Sequence, residues 1–86
     1  MANIASQKKR NARTERERVE NRRYTSSVKT HFRRLEAAVE SGDADAADVE
    51  LRELTSRIDR AVSRGALHRN NGAHKKSRAA AQRARL

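Results

Sequence analysis

The sequence predicts an all-α protein: a three-helix bundle with a long N-terminal helix projecting beyond the bundle. Three observations predict this fold. The 86 residues include no proline and only three glycines, the segments between the glycines consist mainly of strong helix formers, and apolar residues recur at steps of three and four. We expect helix one at about 5–41, helix two at about 44–64 and helix three at about 70–85, in a single domain that covers residues 1–86.

Helix one carries its large apolar residues almost entirely in its C-terminal half. They recur at the spacing of one helix face: Tyr24, Val28, Phe32, Leu35 and Val39. Residues 7–23 include only Val19 as a large apolar residue and therefore have no face to bury against protein. Pairs such as Arg13 with Glu17 and Glu15 with Arg18 favour a helix by only ~0.2–0.5 kcal/mol each. We therefore expect this half of helix one to project, and to be loosely ordered in the free protein.

The turn signals set the ends of helix two. Gly42 is placed to follow the last turn of helix one, and Asp43 to cap the N-terminus of helix two. Gly65 offers the next stop. Between them, one face of helix two repeats the apolar spacing: Ala47, Leu51, Leu54, Ile58, Ala61 and Val62.

Helix three has only small residues at helical spacing, with Asn70 or Asn71 as its expected cap. The expected packing face consists of Ala73, Ser77, Ala80, Ala81 and Ala84. Small side chains bury little apolar area, at roughly 25 cal/mol per Å². Helix three should therefore pack weakly.

Charge is sorted along the chain. Residues 1–34 have a net charge of +8, residues 35–63 of −5 and residues 64–86 of +7, which together give +10. The two basic segments hold 18 of the 21 lysines and arginines. Such segments bind polyanions, because each neutralised phosphate releases condensed counterions. The sequence therefore predicts nucleic-acid binding.

The expected contacts are with phosphate and sugar. Arginine outnumbers lysine by 16 to 5, which favours forked contacts with phosphate oxygens. Tyr24 and Phe32 are the only aromatic residues, and both lie on the apolar face of helix one. Without aromatic platforms for stacking bases, recognition should depend on the shape of the nucleic acid.

Several function classes do not fit this composition. The chain has no cysteine, which excludes disulfides and thiol chemistry and favours a reducing compartment. His31, His68 and His74 lack the spacing of metal ligands, so we expect no metal or cofactor, and surface or RNA-contact roles for the three histidines. So small a chain has no convincing catalytic pocket, and we expect no enzymatic activity. No apolar stretch suits a signal peptide or membrane span, so the expected location is cytoplasmic.

The acidic segment has two interpretations. Its carboxylates are Asp43, Asp45, Asp48, Glu50 and Glu53. They could dock a basic partner, or they could form the side of the bundle that faces away from phosphate. The second interpretation is favoured.

The order of the residues resembles the S-twenty family of bacterial small-subunit ribosomal proteins, along the whole chain and without an evident gap. The N-terminal and central matches are Met1, Ala2, Asn3, Ile4, Ser6, Lys9, Arg10, Arg13, Asn21, Lys29, Thr30, Glu36, Ala37, Gly42 and Asp43. The more specific C-terminal matches are Ile58, Asp59, Arg60, Ala61, Gly65, Leu67, His68, Arg69, Asn70, Ala73, Lys75, Lys76, Ser77 and Arg78.

The resemblance implies direct binding to the small-subunit ribosomal RNA, a role in subunit assembly, and the ribosome with neighbouring ribosomal proteins as partners. It also implies that residues 7–23 lie between RNA elements, and that His68, Arg69, Asn70 and residues 75–78 contact RNA. Together with the charge pattern, it gives these expected RNA contacts: Lys8, Lys9, Arg10, Arg13, Arg16, Arg18, Arg22, Arg23, Lys29, Arg33, Arg34, Arg64, His68, Arg69, Asn70, His74, Lys75, Lys76, Ser77, Arg78 and Arg83.

Two residues depart from the family pattern. Gly72 stands where the family commonly has alanine, which predicts that helix three begins later or depends more on RNA for its order. His74 stands where arginine or lysine is common, so its phosphate contact should strengthen on acidification.

Two other functions compete with a ribosomal role. A nucleoid-associated, histone-like protein would bind duplex DNA as tightly as ribosomal RNA. A helical protein-binding adaptor would form a protein complex that survives nuclease treatment.

Overall fold

The computed structural model describes residues 4–86, with side chains described from Gln7 onwards. It consists of three helices in chain order: α1 (Ile4–Glu40), α2 (Ala44–Ser63) and α3 (Arg69–Arg83). The helices pack against one another and residues 4–86 contain no strand, which confirms the predicted all-α three-helix bundle. Residues 1–3 of the expected domain lie outside the described residues.

The long helix α1 determines the shape of the molecule. It has 37 residues, which at 1.5 Å per residue is about 55 Å, and the molecule measures 60 × 20 × 14 Å. Every side chain from residue 7 to residue 20 is exposed. The N-terminal half of α1 therefore projects beyond the bundle, as the sequence predicts.

Both interhelical turns contain a glycine in the left-handed region, Gly42 at φ 72° and Gly65 at φ 79°. After α1, the backbone N–H of Asp43 donates to the carbonyl of Ala38 at 3.1 Å, and that of Gly42 to the carbonyl of Val39 at 3.1 Å. The same pair of bonds follows α2. This is the Schellman arrangement, in which glycine avoids the steric cost of a Cβ. Both predicted helix stops are confirmed.

The N-cap predicted from the sequence is found at α2 but not at α3. The carboxylate of Asp43 accepts from the backbone N–H of Ala46 at 3.1 Å, which confirms the predicted cap of α2. In α3 the cap is His68, whose Nδ1 accepts from the backbone N–H of Asn70 at 3.1 Å. The predicted Asn70 or Asn71 cap is therefore wrong. The expectation that helix three begins later is also wrong, because the imidazole cap lets α3 begin at Arg69, before Gly72.

The core lies between the C-terminal half of α1 and the face of α2. Its buried residues are Val28, His31, Leu35 and Ala38 from α1, Ala47, Leu54, Ile58 and Ala61 from α2, and Gly72 and Ala79 from α3. Tyr24, Phe32 and Val39 flank this core and are half-buried. The expectation that His31 lies on the surface is wrong, because it is on the α1 face that packs on α2, with Nδ1 3.6 Å from Oε2 of Glu50.

The predicted packing face of α3 is wrong. Its five small residues are all exposed: Ala73, Ser77, Ala80, Ala81 and Ala84. The helix packs instead through Gly72 and Ala79, which share a face because they are two turns apart. A Cβ on Gly72 would lie 2.5 Å from Cγ2 of Val62. The absence of that Cβ allows α3 to approach α2 closely, and this selects the buried face.

Three of the five carboxylates of the acidic segment have partners inside the fold. Asp43 caps α2, Glu50 faces His31 and Asp48 pairs with Arg83 of α3 at 2.6 Å. Farther along α2, Asp59 pairs with Lys76 at 2.9 Å. These carboxylates position helices, and the orientation of this side away from phosphate stays a prediction.

Candidate nucleic-acid interface

The projecting half of α1 is a basic helix with little internal neutralisation. Residues 7–23 contain eight basic and three acidic side chains, a net charge of +5. Arg13 lies 4.0 Å from Glu17, and Arg18 lies 3.7 Å from Glu15. All four side chains are at least 64% exposed, and such surface pairs contribute little. Most of the positive charge of this half therefore remains available to an external anion.

A groove between α1 and α3 gathers a second set of basic side chains. Lys29 and Arg33 from α1, with Lys75 and Arg78 from α3, line a cavity of about 250 Å³ that also contacts Phe32. An adjoining cavity of about 250 Å³ shares Lys29 and Lys75 and extends to the α2–α3 turn. We call these two cavities together the α1–α3 groove.

An aromatic ring positions one of the arginines of this groove. The guanidinium carbon of Arg78 lies 5.6 Å from the centroid of the Phe32 ring, within the range of a cation–π contact. Phe32 is half-buried and packs against the core. The ring therefore supports Arg78 and leaves its exposed edge for an anion.

The N-terminus of α3 presents a polar cluster beside this groove. His68, Arg69 and Asn70 are all exposed. Because Nδ1 of His68 accepts the capping hydrogen bond, a neutral ring carries its proton on Nε2. The cap thereby makes Nε2 a hydrogen-bond donor towards an external group.

Two of the expected contacts are already engaged within the fold. Lys76 donates to Asp59 at 2.9 Å, and Arg83 donates to Asp48 through Nε at 2.6 Å and Nη2 at 3.5 Å. The hydrogen bond from Arg83 lowers the pKa of Asp48, and the same bond raises the pKa of Arg83. An RNA phosphate would have to compete with Asp48 for Arg83.

A third basic site was missed by sequence reasoning. Where α1 leaves the bundle, a cleft of about 380 Å³ is lined by Glu20, Arg23, Tyr24 and Ser27 of α1 and by Arg57, Arg60 and Arg64 at the end of α2. We call it the α1–α2 cleft. Arg57 and Arg60 were not among the expected contacts because they lie in the segment of net negative charge. Their spacing with Arg64, three and then four residues, could have identified them as one helix face.

The family model described as Ribosomal protein S20 matches residues 2–83. The chain belongs to the ribosomal protein S20 family. The predicted resemblance is therefore confirmed.

Relatives in the ribosomal protein S20 family cover nearly the whole chain. A protein of Kocuria rhizophila is 52% identical over 77 residues, 90% of each chain. One of Corynebacterium glutamicum is 48% identical over 77 residues, 90% of this chain and 88% of its own. One of Frankia casuarinae is 45% identical over 86 residues, all of this chain and 97% of its own. Each is named small ribosomal subunit protein bS20.

In this member of the S20 family the expected contacts fall into separate places. Lys8, Lys9, Arg10, Arg13, Arg16, Arg18 and Arg22 lie along the projecting helix, and Arg23 and Arg64 line the α1–α2 cleft. Lys29, Arg33, Lys75 and Arg78 meet in the α1–α3 groove. Arg34, His74 and Ser77 are exposed but line none of these cavities. For every one of the expected residues, contact with RNA stays a prediction.

None of the described helices combines the length and apolar character needed to cross a membrane. Within residues 4–86, no three His, Cys, Asp or Glu side chains come together as a metal-binding group.

Proposed function

We propose that this chain is a structural component of the small ribosomal subunit, which binds directly to the small-subunit ribosomal RNA and stabilises packed RNA helices during assembly. The observation that carries the proposal is the projecting half of α1, whose side chains from residue 7 to residue 20 are all exposed on a helix with strong positive charge. Membership of the S20 family supports the same role.

The basic residues surround the projecting helix rather than occupy one side. At about 100° per residue, Lys9 and Arg18 are nine residues apart and point to opposite sides. Lys8, Arg10 and Arg13 point in further directions. A helix with cations around its circumference can lie between two phosphate backbones and reduce their repulsion. This arrangement suits a protein that holds RNA helices side by side.

The α1–α3 groove supplies a contact surface on the bundle itself. Its four cations come from two helices, so they are held at a fixed spacing by the packing of α3. Arg78, supported by Phe32, can offer two parallel N–H groups to one phosphate. Nε2 of His68 and the amide of Asn70 extend the same surface with neutral donors.

The binding mode should be recognition of backbone and shape. The two aromatic residues are half-buried against the core, so neither presents an open face for stacking a base. Contacts with phosphates and sugars position a protein on folded RNA without reading base edges. The ribosome in the cytoplasm is the location that this function requires, with ribosomal RNA and neighbouring ribosomal proteins as partners. The proposal assigns the chain no catalytic reaction.

A competition experiment tests the function. Small-subunit ribosomal RNA and duplex DNA are offered at equal phosphate concentration, and the dissociation constants are measured between 50 and 200 mM salt. If six to ten phosphates are contacted, affinity for the RNA should fall roughly 10³- to 10⁵-fold over that range. Equal affinity for DNA would indicate a histone-like protein instead. A protein complex that survives nuclease, with weak RNA binding, would indicate an adaptor.

A variant locates the RNA-binding surface. R13Q/R16Q removes two charges from the projecting helix and should weaken RNA binding and flatten its salt dependence. R52Q/R85Q removes the same charge from exposed residues outside the projecting helix, the groove and the cleft, and should bind almost as the parent protein does. Equal losses in the two variants would contradict a localised surface.

A further inference from the structure

The α1–α2 cleft concentrates positive charge around an open space. Four guanidinium groups line it: those of Arg23, Arg57, Arg60 and Arg64. Its volume of about 380 Å³ is within the range of small-molecule sites. The only carboxylate among its lining residues is that of Glu20. Like charges on a shared cavity repel one another, so this arrangement favours an anion between them.

The fold neutralises basic groups elsewhere but leaves most of the arginines of the cleft without a close ion-pair partner. Lys76 and Arg83 each have an aspartate of α2 as an ion-pair partner. Arg57 has only a distant partner, Oε2 of Glu53 at 3.9 Å from its Nε. Across the described chain, Arg23, Arg60 and Arg64 have no carboxylate oxygen within 4.0 Å. The cleft therefore retains unneutralised donors in a group.

The cleft also offers neutral hydrogen-bonding groups. Tyr24 is half-buried against the core, and it lines the cleft together with Ser27. Their hydroxyls can donate to an oxygen atom that the guanidiniums leave without a partner. Arginine forks with added hydroxyl donors form a set of groups suited to a phosphodiester.

We propose that the α1–α2 cleft binds a backbone phosphate of RNA, so that the bundle contacts RNA on two sides. This inference rests on the proposed RNA-binding function and adds Arg57 and Arg60 to its contact residues. Ser27 lines the cleft and Lys29 lines the α1–α3 groove. Side chains two positions apart on a helix point in directions that differ by about 200°, so the two sites lie on opposite sides of α1. Both lie near the point where α1 leaves the bundle, and RNA held at both would fix the direction of the projecting helix.

Charge-matched variants test the proposal in the full chain. R57Q/R60Q should bind small-subunit ribosomal RNA at least ten-fold more weakly at 100 mM salt, because each lost contact is a hydrogen bond to a charged group. The slope of log affinity against log salt should become shallower by about 1 to 2, since two cationic contacts with phosphate disappear. R52Q/R85Q, which removes the same charge outside the cleft, should change affinity less than three-fold.

A second pair of variants separates a shaped site from total charge. R57K/R60K retains both charges but loses the guanidinium forks, so it should keep the parent salt slope and lose part of the affinity. R57K/R60K also provides the test of the cleft if R57Q/R60Q does not fold, as judged by circular dichroism. Chemical footprinting then compares R57Q/R60Q with K75Q/R78Q, a variant of the groove. The two variants should lose protection at different nucleotides.

The outcomes distinguish this proposal from the function on which it rests. If the parent chain does not prefer ribosomal RNA, the proposed function and this inference both fail. If the parent chain binds ribosomal RNA but R57Q/R60Q matches R52Q/R85Q in affinity and slope, the cleft is overturned as a phosphate site and the function stands. Loss of protection at the same nucleotides in the cleft and groove variants would overturn contact on two sides.

Discussion

Arg83 of α3 donates to Asp48 of α2 at 2.6 Å, across a separation of thirty-five residues. This bond fixes the C-terminal end of α3 on the first half of α2, while Gly72 fixes the other end. Its consequence for function is that Arg83, one of the expected RNA contacts, has a structural partner. The packing of α3 also places Lys75 and Arg78 on the side of the α1–α3 groove.

Stability should depend on pH through Asp48. Its pKa is lowered in the folded protein, chiefly by the hydrogen bond from Arg83, so the pair stabilises the fold above the unfolded pKa of about 3.9. That contribution is lost as the pH falls through the folded pKa. Thermal melts should show that D48N has a lower Tm than the parent protein at pH 6, and that the difference shrinks below about pH 4.

The control for this experiment is on the same helix. Asp45 is exposed in the first turn of α2, so D45N removes an equal charge without removing the pair. Its Tm difference from the parent should be smaller at pH 6. A gap between D48N and the parent that stays constant down to pH 2.5 would contradict the ionised pair.

Gly72 and Val62 should be energetically coupled. G72A improves helix propensity by about 1 kcal/mol, but its Cβ would lie 2.5 Å from a methyl of Val62, and overpacking costs about 1–3 kcal/mol. Because valine has a strongly preferred rotamer in helices, the clash should outweigh the propensity. We expect G72A to lower the free energy of unfolding by about 1 kcal/mol in urea titrations. In a V62A background the same change should be stabilising, and additive effects would contradict the close approach.

His31 and Glu50 face each other at the α1–α2 interface without a hydrogen bond between them. Their nearest atoms are 3.6 Å apart, too far for a good hydrogen bond, and both of these atoms are buried. H31L and E50L should each lower the free energy of unfolding by about 1–3 kcal/mol, because each leaves one buried polar group alone. H31L/E50L should be as stable as the parent, or more so. Urea titrations of all four proteins give the coupling, and a double variant less stable than either single one would contradict it.

The sequence predicts those parts of the fold that depend on local backbone chemistry. Gly42 and Gly65 mark both helix stops because only glycine adopts a left-handed conformation cheaply. Asp43 marks a cap because its short carboxylate reaches a backbone N–H. The projection of the basic half of α1 can be predicted because residues 7–23 contain so few large apolar side chains.

The missed features depend on tertiary packing. Alanine occurs on several sides of α3, so it does not identify a face, and the true face is selected by Gly72 against Val62. His31 suggests a surface residue by its type, but it is buried because it continues the core face of Val28 and Leu35. Arg57 and Arg60 join Arg23 only after α1 and α2 pack. The α1–α2 cleft could therefore not be assembled from charge along the chain.

The projecting half of α1 should change its hydrogen-exchange protection when RNA binds. Its backbone is helical, but from residue 7 to residue 20 no side chain is buried, and helices without packing partners are only marginally stable in water. Amides of residues 8–20 should exchange quickly in the free protein, whereas amides near Leu35, which is fully buried, should be protected. Adding small-subunit ribosomal RNA should slow exchange in residues 8–20 by at least ten-fold. The protected segment around Leu35 serves as the internal control, and R13Q/R16Q should weaken the effect at equal RNA concentration. Full protection of residues 8–20 in the free protein would contradict the expectation that this half of α1 is loosely ordered without RNA.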